Sequence, residues 1–180
     1  MVKNDRLLLI GGSRQNVGKT TFACDLLNYF SSFNDIVYIK TSSHFHGVED
    51  CDIIIFQDEN ITITEETELN RSKDTSRVLK AGARKSFFVQ AKDEFVLRAY
   101  EILLEKNIDK SLIICESASL RNYVIPHFFI ALVIDKNGNL SSNKKILQKA
   151  DIFIEKYLTE PNNIIEEVID IEKNSWKIKQ

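Results

Sequence analysis

Glycine and proline are scarce in this chain of 180 residues, at 6 and 2 positions. So few backbone breakers exclude a collagen-like or low-complexity chain. They also give weight to the places where glycine does occur. Cysteine is nearly as rare: Cys24, Cys51 and Cys115 are odd in number and form no CxxC pair. That excludes a zinc or thioredoxin-like framework and complete internal disulfide pairing. Each thiol has apolar neighbours and is expected to be buried and reduced. There is no basic surplus, because 24 Lys and Arg face 26 Asp and Glu for a net charge of -2. Nucleic acid is therefore not an expected partner. Long hydrophobic runs are missing too. The opening MVKNDRLLLIGG has four consecutive apolar residues before its glycines, too few for a secretory signal or a membrane span. The expected setting is reducing and cytoplasmic, without membrane contact.

What is present describes a folded chain. Apolar residues make up 43% and charged residues 28%, and this length suits one domain, residues 1–180, with a substantial core. Leu7–Ile10 is a continuous apolar run ending at Gly11-Gly12 and reads as a buried strand. After Gly18, the residues Phe22, Ala23, Leu26, Leu27, Phe30 and Phe33 recur at helical spacing. Further strands are expected at 36–39, 86–89, 112–115, 129–134 and 152–154. Residues 53–56 and 61–63 flank turn-prone Gln57–Asn60 and predict a hairpin. Between them and the next strand, the acidic stretch 65–68 reads as a solvated connection. Ser72 is placed to cap a short helix ending at Gly82. A helix beginning near Asp93 carries Phe95, Val96, Ala99, Ile102 and Leu103. Pro161 is expected to open a last helix, followed by a peripheral basic tail. Alternating strands and helices predict an α/β fold of three layers, with a mostly parallel sheet and a small β-hairpin insertion.

Three of the six glycines, Gly11, Gly12 and Gly18, fall within eight positions. The segment Gly12-Ser-Arg-Gln-Asn-Val-Gly-Lys-Thr-Thr21 joins the first strand to the first helix. Gly18-Lys19-Thr20 in that context has the form of a phosphate-binding P-loop. Loop amides and the unpaired N–H groups of a helix start make an anion nest. Lys19 adds a point charge for β- and γ-phosphates, and the Thr20 hydroxyl is a ligand for Mg²⁺. The usual pattern GxxxxGK[ST] puts its first glycine where this chain has Ser13. Gly12, one residue earlier, gives GxxxxxGKT, a longer loop that resembles those of the dethiobiotin synthetase and cobyrinic acid amidating families. A carboxylate at the end of a neighbouring strand is needed near the metal. Glu116 fits best, and Asp52 and Asp135 are the other candidates.

Three more segments matter: Ile39-Lys40-Thr-Ser-Ser-His44-Phe-His46, then Ser72-Lys73-Asp74-Thr75-Ser76-Arg77 with Lys80-Ala81-Gly82-Ala83, then Cys115-Glu116-Ser117. In this order they resemble the molybdopterin-guanine dinucleotide biosynthesis protein B family (MobB), over residues from about 6 to 135. Lys40, Asp74, Arg77, Ala81-Gly82-Ala83 and Glu116 match by position. The resemblance implies a P-loop NTPase fold that binds GTP with Mg²⁺; the residues leave GTP or ATP open, and weak hydrolysis is expected because none declares itself as a water-positioning group or arginine finger. It also implies a role beside the guanylyltransferase that completes molybdenum cofactor, a pterin-type ligand, and a homodimer. The chain departs from the pattern at Ser72 (glycine in the family), Thr41 (histidine) and Ser117-Ala118-Ser119 (a glycine and a basic residue). The alternative class is an ATP-dependent enzyme that activates a substrate carboxylate, like dethiobiotin synthetase.

The candidate nucleotide-binding residues are Gly12, Ser13, Arg14, Asn16, Val17, Gly18, Lys19, Thr20, Thr21, Lys40 and Asp74. Thr20 and Glu116 are the candidate metal ligands, and Lys19 and Glu116 the candidate catalytic pair. Arg14 is also a candidate charge donor from within the loop. Each outlying residue has an ordinary reading as well. Lys40 suits a surface lysine, His44 and His46 suit loop histidines, and Asp74 with Arg77 suits an i,i+3 surface pair. Asp135-Lys136-Asn137 is only distantly like a guanine-reading segment.

Overall fold

Leu7–Ile10 is apolar on both faces, and in the computed structural model all four residues are fully buried at the centre of a sheet. The structure describes residues 1–49, 52–108, 110–134, 142–158 and 163–179. Cys51, Asp135–Asn137 and Pro161 lie outside these, and with them the expectations attached to those positions. The elements run β1 (Val2–Gly12), α1 (Lys19–Phe30), β2 (Ile36–Ser42), β3 (Ile53–Gln57), β4 (Ile61–Glu66), α2 (Asp74–Lys80) and β5 (Lys85–Ala91). Then follow α3 (Val96–Leu103), β6 (Leu112–Glu116), β7 (Val124–Val133), β8 (Ile152–Glu155), α4 (Ile164–Val168), β9 (Ile169–Glu172) and β10 (Ser175–Ile178).

The main sheet has eight strands in the order β3-β4-β5-β2-β6-β1-β7-β8. β5, β2, β6, β1, β7 and β8 are parallel. β4 runs antiparallel to β5, and β3 to β4. The 53–63 hairpin is thus the antiparallel end of the main sheet rather than a separate insertion. Its turn is held by the Asp58 carboxylate, which accepts the N–H groups of Asn60 and Ile61 at 2.8 Å.

Strand alternation sorts the core into two halves. Leu8, Ile10, Tyr38, Ile114 and Ile130 face α1, α2, α4 and the β9–β10 hairpin. Leu7, Leu9, Ile39, Cys115 and Phe129 face α3, the 119–122 turn and the 142–149 segment. An α/β arrangement with a mostly parallel sheet covered on both faces follows, compatible with the expected three layers.

Several boundaries differ from expectation. β1 begins at Val2 and β7 at Val124. The 65–68 stretch is not simply solvated: β4 continues to Glu66, which is 4% exposed. Its carboxylate accepts the N–H groups of Thr67 (3.1 Å) and Glu68 (3.0 Å) and pairs with Arg71. Ser72 does not cap α2, whose N-cap is Lys73. α1 stops at Phe30, leaving Phe33 93% exposed. The segment from Asp93 opens as a 3₁₀ turn before α3 begins. The basic tail is not peripheral. It forms β10, pairs with β9 and buries Trp176, whose Nε1 donates to the Arg6 carbonyl at 2.9 Å and whose ring meets Phe30 edge-on. Cys24 and Cys115 are free thiols. Burial pushes Cys24 up to about 11, so it is neutral at pH 7.

Candidate functional site

The loop between β1 and α1 begins where Ser13 donates its N–H to Leu132 of β7 at 3.0 Å. Asn16 (φ 56°) and Gly18 (φ 100°) adopt the left-handed conformation, which turns the chain sharply into α1. Gly18 is the N-cap and brings no side chain to the helix start, and the first turn holds no acid. The Gly18 carbonyl takes the N–H of Phe22 at 2.8 Å, the first bond of the helix. The first-turn amides before it point out of the helix end, as at any N-terminus. Gly12 is required for a different reason. A Cβ there would lie 2.7 Å from Val17 Cγ1 and 3.0 Å from Lys19 Cδ. The Lys19 stem is therefore folded back over the end of β1, beside the loop.

Even-numbered residues of β2 and β6 point to the α1 face, and this brings a polar cluster together. Lys40 and Glu116 are register partners across the β2–β6 pair. Tyr38, two residues before Lys40, donates its hydroxyl to Glu116 Oε1 at 2.5 Å. Glu116 is 3% exposed, and its second oxygen, Oε2, is buried without a hydrogen-bond partner. Burial raises the Glu116 carboxyl above its ordinary range, although the Tyr38 and Thr20 hydroxyls and the ammonium groups of Lys40 and Lys19 pull it down. Burial and the neighbouring Glu116 charge also push the Tyr38 phenol well up. Asp74, at the start of α2, pairs with Lys40 and lies 3.2 Å from Arg77 Nη1. Burial raises the Asp74 carboxyl, but Lys40, Thr20 and Arg77 more than offset it, so its pKa lies below the usual value. The Thr20 hydroxyl thus acts on both carboxylates. Arg77 also reaches Thr21 Oγ1 at 3.4 Å.

These groups border a cleft of about 850 Å³ over the C-terminal ends of the strands, where open α/β sheets take ligands. Asn16, Gly18, Lys19, Thr20, Thr21, Lys40, Asp74 and Glu116 all line it. Loop residues 44–49 form its outer wall. Arg71 ties that wall down, pairing with Glu49, with Asp52 (2.7 Å) and with buried Glu66 (3.2 Å). Lys73 holds Glu49 at 2.7 Å. Asp52, a candidate metal ligand in the sequence, is instead held by Arg71 and Lys73. His44 and His46 line the cleft, but among the described residues no group of three or more His, Cys, Asp or Glu is placed to hold a metal. A second cleft, of about 550 Å³, adjoins the first and shares Gln15, Lys19, Thr41, Ser42, His44 and Glu116 with it. Gly12 and Arg14 line this one rather than the first.

Two further loop candidates sit differently from the rest. Val17 is 6% exposed, and its side chain packs in the α1 core, so only its backbone faces the loop. Ser13 Oγ is buried without a hydrogen-bond partner. Sequence reasoning missed Tyr38, Arg71 and the second cleft. Tyr38 had one usable sign: it shares a strand face with Lys40 at spacing two.

An oxygen-only set suits a hard divalent cation such as Mg²⁺. Thr20 Oγ1, Asp74 and Glu116 are such a set, and among the described residues Glu116 Oε2 is a buried acceptor without a hydrogen-bond partner. The residues present therefore fit that ion.

Among the described residues, no helix is long and apolar enough to cross a membrane. Compared with protein-family models, curated proteins and solved structures, the chain matches none.

Proposed function

We propose that this chain is a Mg²⁺-dependent nucleoside-triphosphate-binding protein of the P-loop NTPase fold. One observation carries the reading: Lys19, folded over Gly12 at an amide-lined helix start, stands beside the Thr20–Asp74–Glu116 oxygen cluster. In this reading the loop amides and Lys19 hold the β- and γ-phosphates of GTP or ATP. Thr20, Asp74 and Glu116 hold Mg²⁺, which supplies charge neutralisation at the phosphates. Lys40 and Asp74 pair directly at the cleft, which holds the Asp74 carboxylate in place. Tyr38 fixes the Glu116 carboxylate, so Oε2 stays aimed where it is. In this reading hydrolysis is slow, because among the described residues none declares itself as a water-positioning group.

Within that fold we infer the role that the sequence resemblance suggests, an assistant in molybdenum cofactor assembly or a related small-molecule pathway of the cytoplasm. The homodimer, pterin-type ligand and guanylyltransferase partner belong to this same proposal. The adjoining second cleft favours the other reading, an ATP-dependent enzyme that activates a substrate carboxylate, because a simple switch has no use for it.

The test is calorimetric titration of GTP and ATP, with and without Mg²⁺, on the parent and on Lys19→Ala. Loss of a charge-assisted phosphate contact costs about 1.5–3 kcal/mol, or roughly 10- to 150-fold in affinity. Equal binding by both proteins refutes the reading.

A further inference from the structure

The outer wall of the first cleft is held in a different way from the rest of the fold. It leaves the sheet after Ser42, the last residue of β2, and among residues 43–49 every residue but Val48 is exposed. Such a segment buries too little apolar surface for the hydrophobic effect to fix it. The cleft floor beside it is largely polar as well, with Thr64 of β4 and Gln90 of β5 next to Phe88. What holds the segment is a short series of polar contacts. Ser42 Oγ accepts the His44 N–H at 3.1 Å. The His46 N–H donates to Oε1 of Gln90, a residue 2% exposed. The Glu49 N–H reaches Asp52 Oδ2 at 3.2 Å, and the Glu49 carboxylate pairs with Arg71 and, at 2.7 Å, with Lys73.

The two sides of this last contact differ in firmness. The Arg71 N–H donates to Ser76 Oγ at 3.1 Å, and its guanidinium lies against Glu66, which two backbone amides fix in turn. The Arg71 side chain is 16% exposed, and that of Asp52 10%. The Glu49 side chain is 55% exposed. Arg71 and Asp52 thus belong to the core side, while Glu49 meets water.

We propose that residues 43–49 are a flap over the outer end of the cleft, latched at Glu49 by Arg71 and Lys73, which opens to let the ligand pass. Ion pairs as exposed as these are worth about 0.2–1 kcal/mol each, and salt screens them. The latch therefore releases at small cost while the sheet beneath stays folded. His44 and His46 ride on the flap, so opening takes both rings out of the cleft lining. Lys73 directly precedes Asp74, the partner of Lys40, so the latch lies one residue from the oxygen cluster. The inference rests on the nucleotide reading for what passes the flap, whereas the latch itself does not depend on it.

Amide hydrogen exchange on the full chain tests the latch at His46 and Glu49. Ala83 is the reference, since its N–H bonds the Val78 carbonyl at 3.0 Å. Raising sodium chloride from about 0.1 M to about 1 M shortens the screening length from about 10 Å to about 3 Å. Exchange at His46 and Glu49 should quicken about 3- to 10-fold, the worth of two exposed pairs, and at Ala83 by less than about twofold. Glu49→Gln keeps the side-chain size at an exposed position. At low salt it should quicken His46 exchange by a similar factor and leave little further response to salt. Lys73→Met, which removes one of the two cations, should fall between parent and Glu49→Gln. Exchange at His46 that responds neither to salt nor to Glu49→Gln overturns the proposal, as does equal quickening at Ala83. The rates of a fluorescent triphosphate with Mg²⁺ read the gating. In Glu49→Gln, association and dissociation should both quicken about threefold or more. Faster association with unchanged dissociation is the steering effect of a lost negative charge, and overturns the gate. A parent protein that binds no triphosphate refutes the nucleotide reading alone, and the exchange rates still decide the latch.

Discussion

Glutamine in place of Glu116 should raise the stability of the ligand-free protein while removing its response to Mg²⁺. Glu116 is 3% exposed and carries an oxygen without a hydrogen-bond partner. The direction of its pKa shift says that the fold favours the neutral form. Glu116→Gln is neutral and nearly isosteric. Its carbonyl still accepts the Tyr38 hydroxyl, and its amide can donate toward the Thr20 hydroxyl. Relief of an unsatisfied buried acceptor is worth about 1–3 kcal/mol. For a chain of this length each kcal/mol moves Tm by about 2–4 °C, so a rise of about 2–12 °C is expected. The same change removes a ligand from the proposed metal site, and the gain in triphosphate affinity on adding Mg²⁺ should shrink at least tenfold, the worth of a single ionic contact. Scanning calorimetry reads the first effect, and titration with and without Mg²⁺ the second. A carboxylate kept only to hold the fold gives the opposite pattern. A lowered Tm with an intact Mg²⁺ response would refute the reasoning.

Three other outcomes follow from the same geometry. Because burial raises the Glu116 pKa, its proton must leave before the oxygen can serve a cation, so Mg²⁺-dependent affinity should rise with pH up to tenfold per unit below that pKa and flatten above it. The stability of the ligand-free chain runs the other way, declining as pH rises from the unfolded carboxyl value toward the folded one; Glu116→Gln should flatten both curves. Gly12→Ala puts a Cβ 2.7 Å from Val17 Cγ1 and 3.0 Å from Lys19 Cδ. Overpacking should cost about 1–3 kcal/mol in urea melts, and displacement of Lys19 should weaken triphosphate binding about tenfold or more; unchanged affinity would mean that the Lys19 position is irrelevant. Arg71→Ala leaves buried Glu66 without its cation and Glu49 and Asp52 with Lys73 alone, and should lower stability by about 1.5–3 kcal/mol, whereas a loss under about 0.5 kcal/mol would show the network to be ornamental.

What could be read in advance was local. The run Leu7–Ile10, the glycines and the 3.6-residue spacing after Gly18 lie next to one another in the chain. Their physics needs no distant partner, and strand, turn and helix all form where expected. The parallel strands were likewise legible, because a strand buried on both faces is apolar throughout. Misreadings came where a distant contact decides. Glu66 looks solvated until Arg71 and two backbone amides reach it. The tail looks peripheral until Trp176 finds Phe30 and the Arg6 carbonyl, 170 positions away for the last. Ser72 has the chemistry of a cap, yet α2 starts two residues later, at the carboxylate that Lys40 engages.

The candidate site divides along the same line. Its loop half is contiguous, so composition and order reveal it. Its carboxylate half exists only through register: Lys40 stands opposite Glu116 because β2 pairs β6 in that alignment. A slip of one residue would turn Glu116 away from α1 and put the Cys115 thiol in its place. Nothing in the order of residues 36–42 and 112–116 determines that alignment alone, since both runs are apolar with one polar end. What decides it is the turn on each side. The Asp35 carbonyl takes the Leu112 N–H at 3.0 Å, and the Ile10 carbonyl takes the Ser117 N–H at 3.2 Å, clamping β6 at both ends. Thr41 Oγ1 adds a bond to the Glu116 carbonyl at 3.2 Å. The site's chemistry thus depends on two backbone anchors that carry no chemical signature of their own and on one threonine hydroxyl, and residues at both ends of β6 must hold for one buried oxygen to face Thr20.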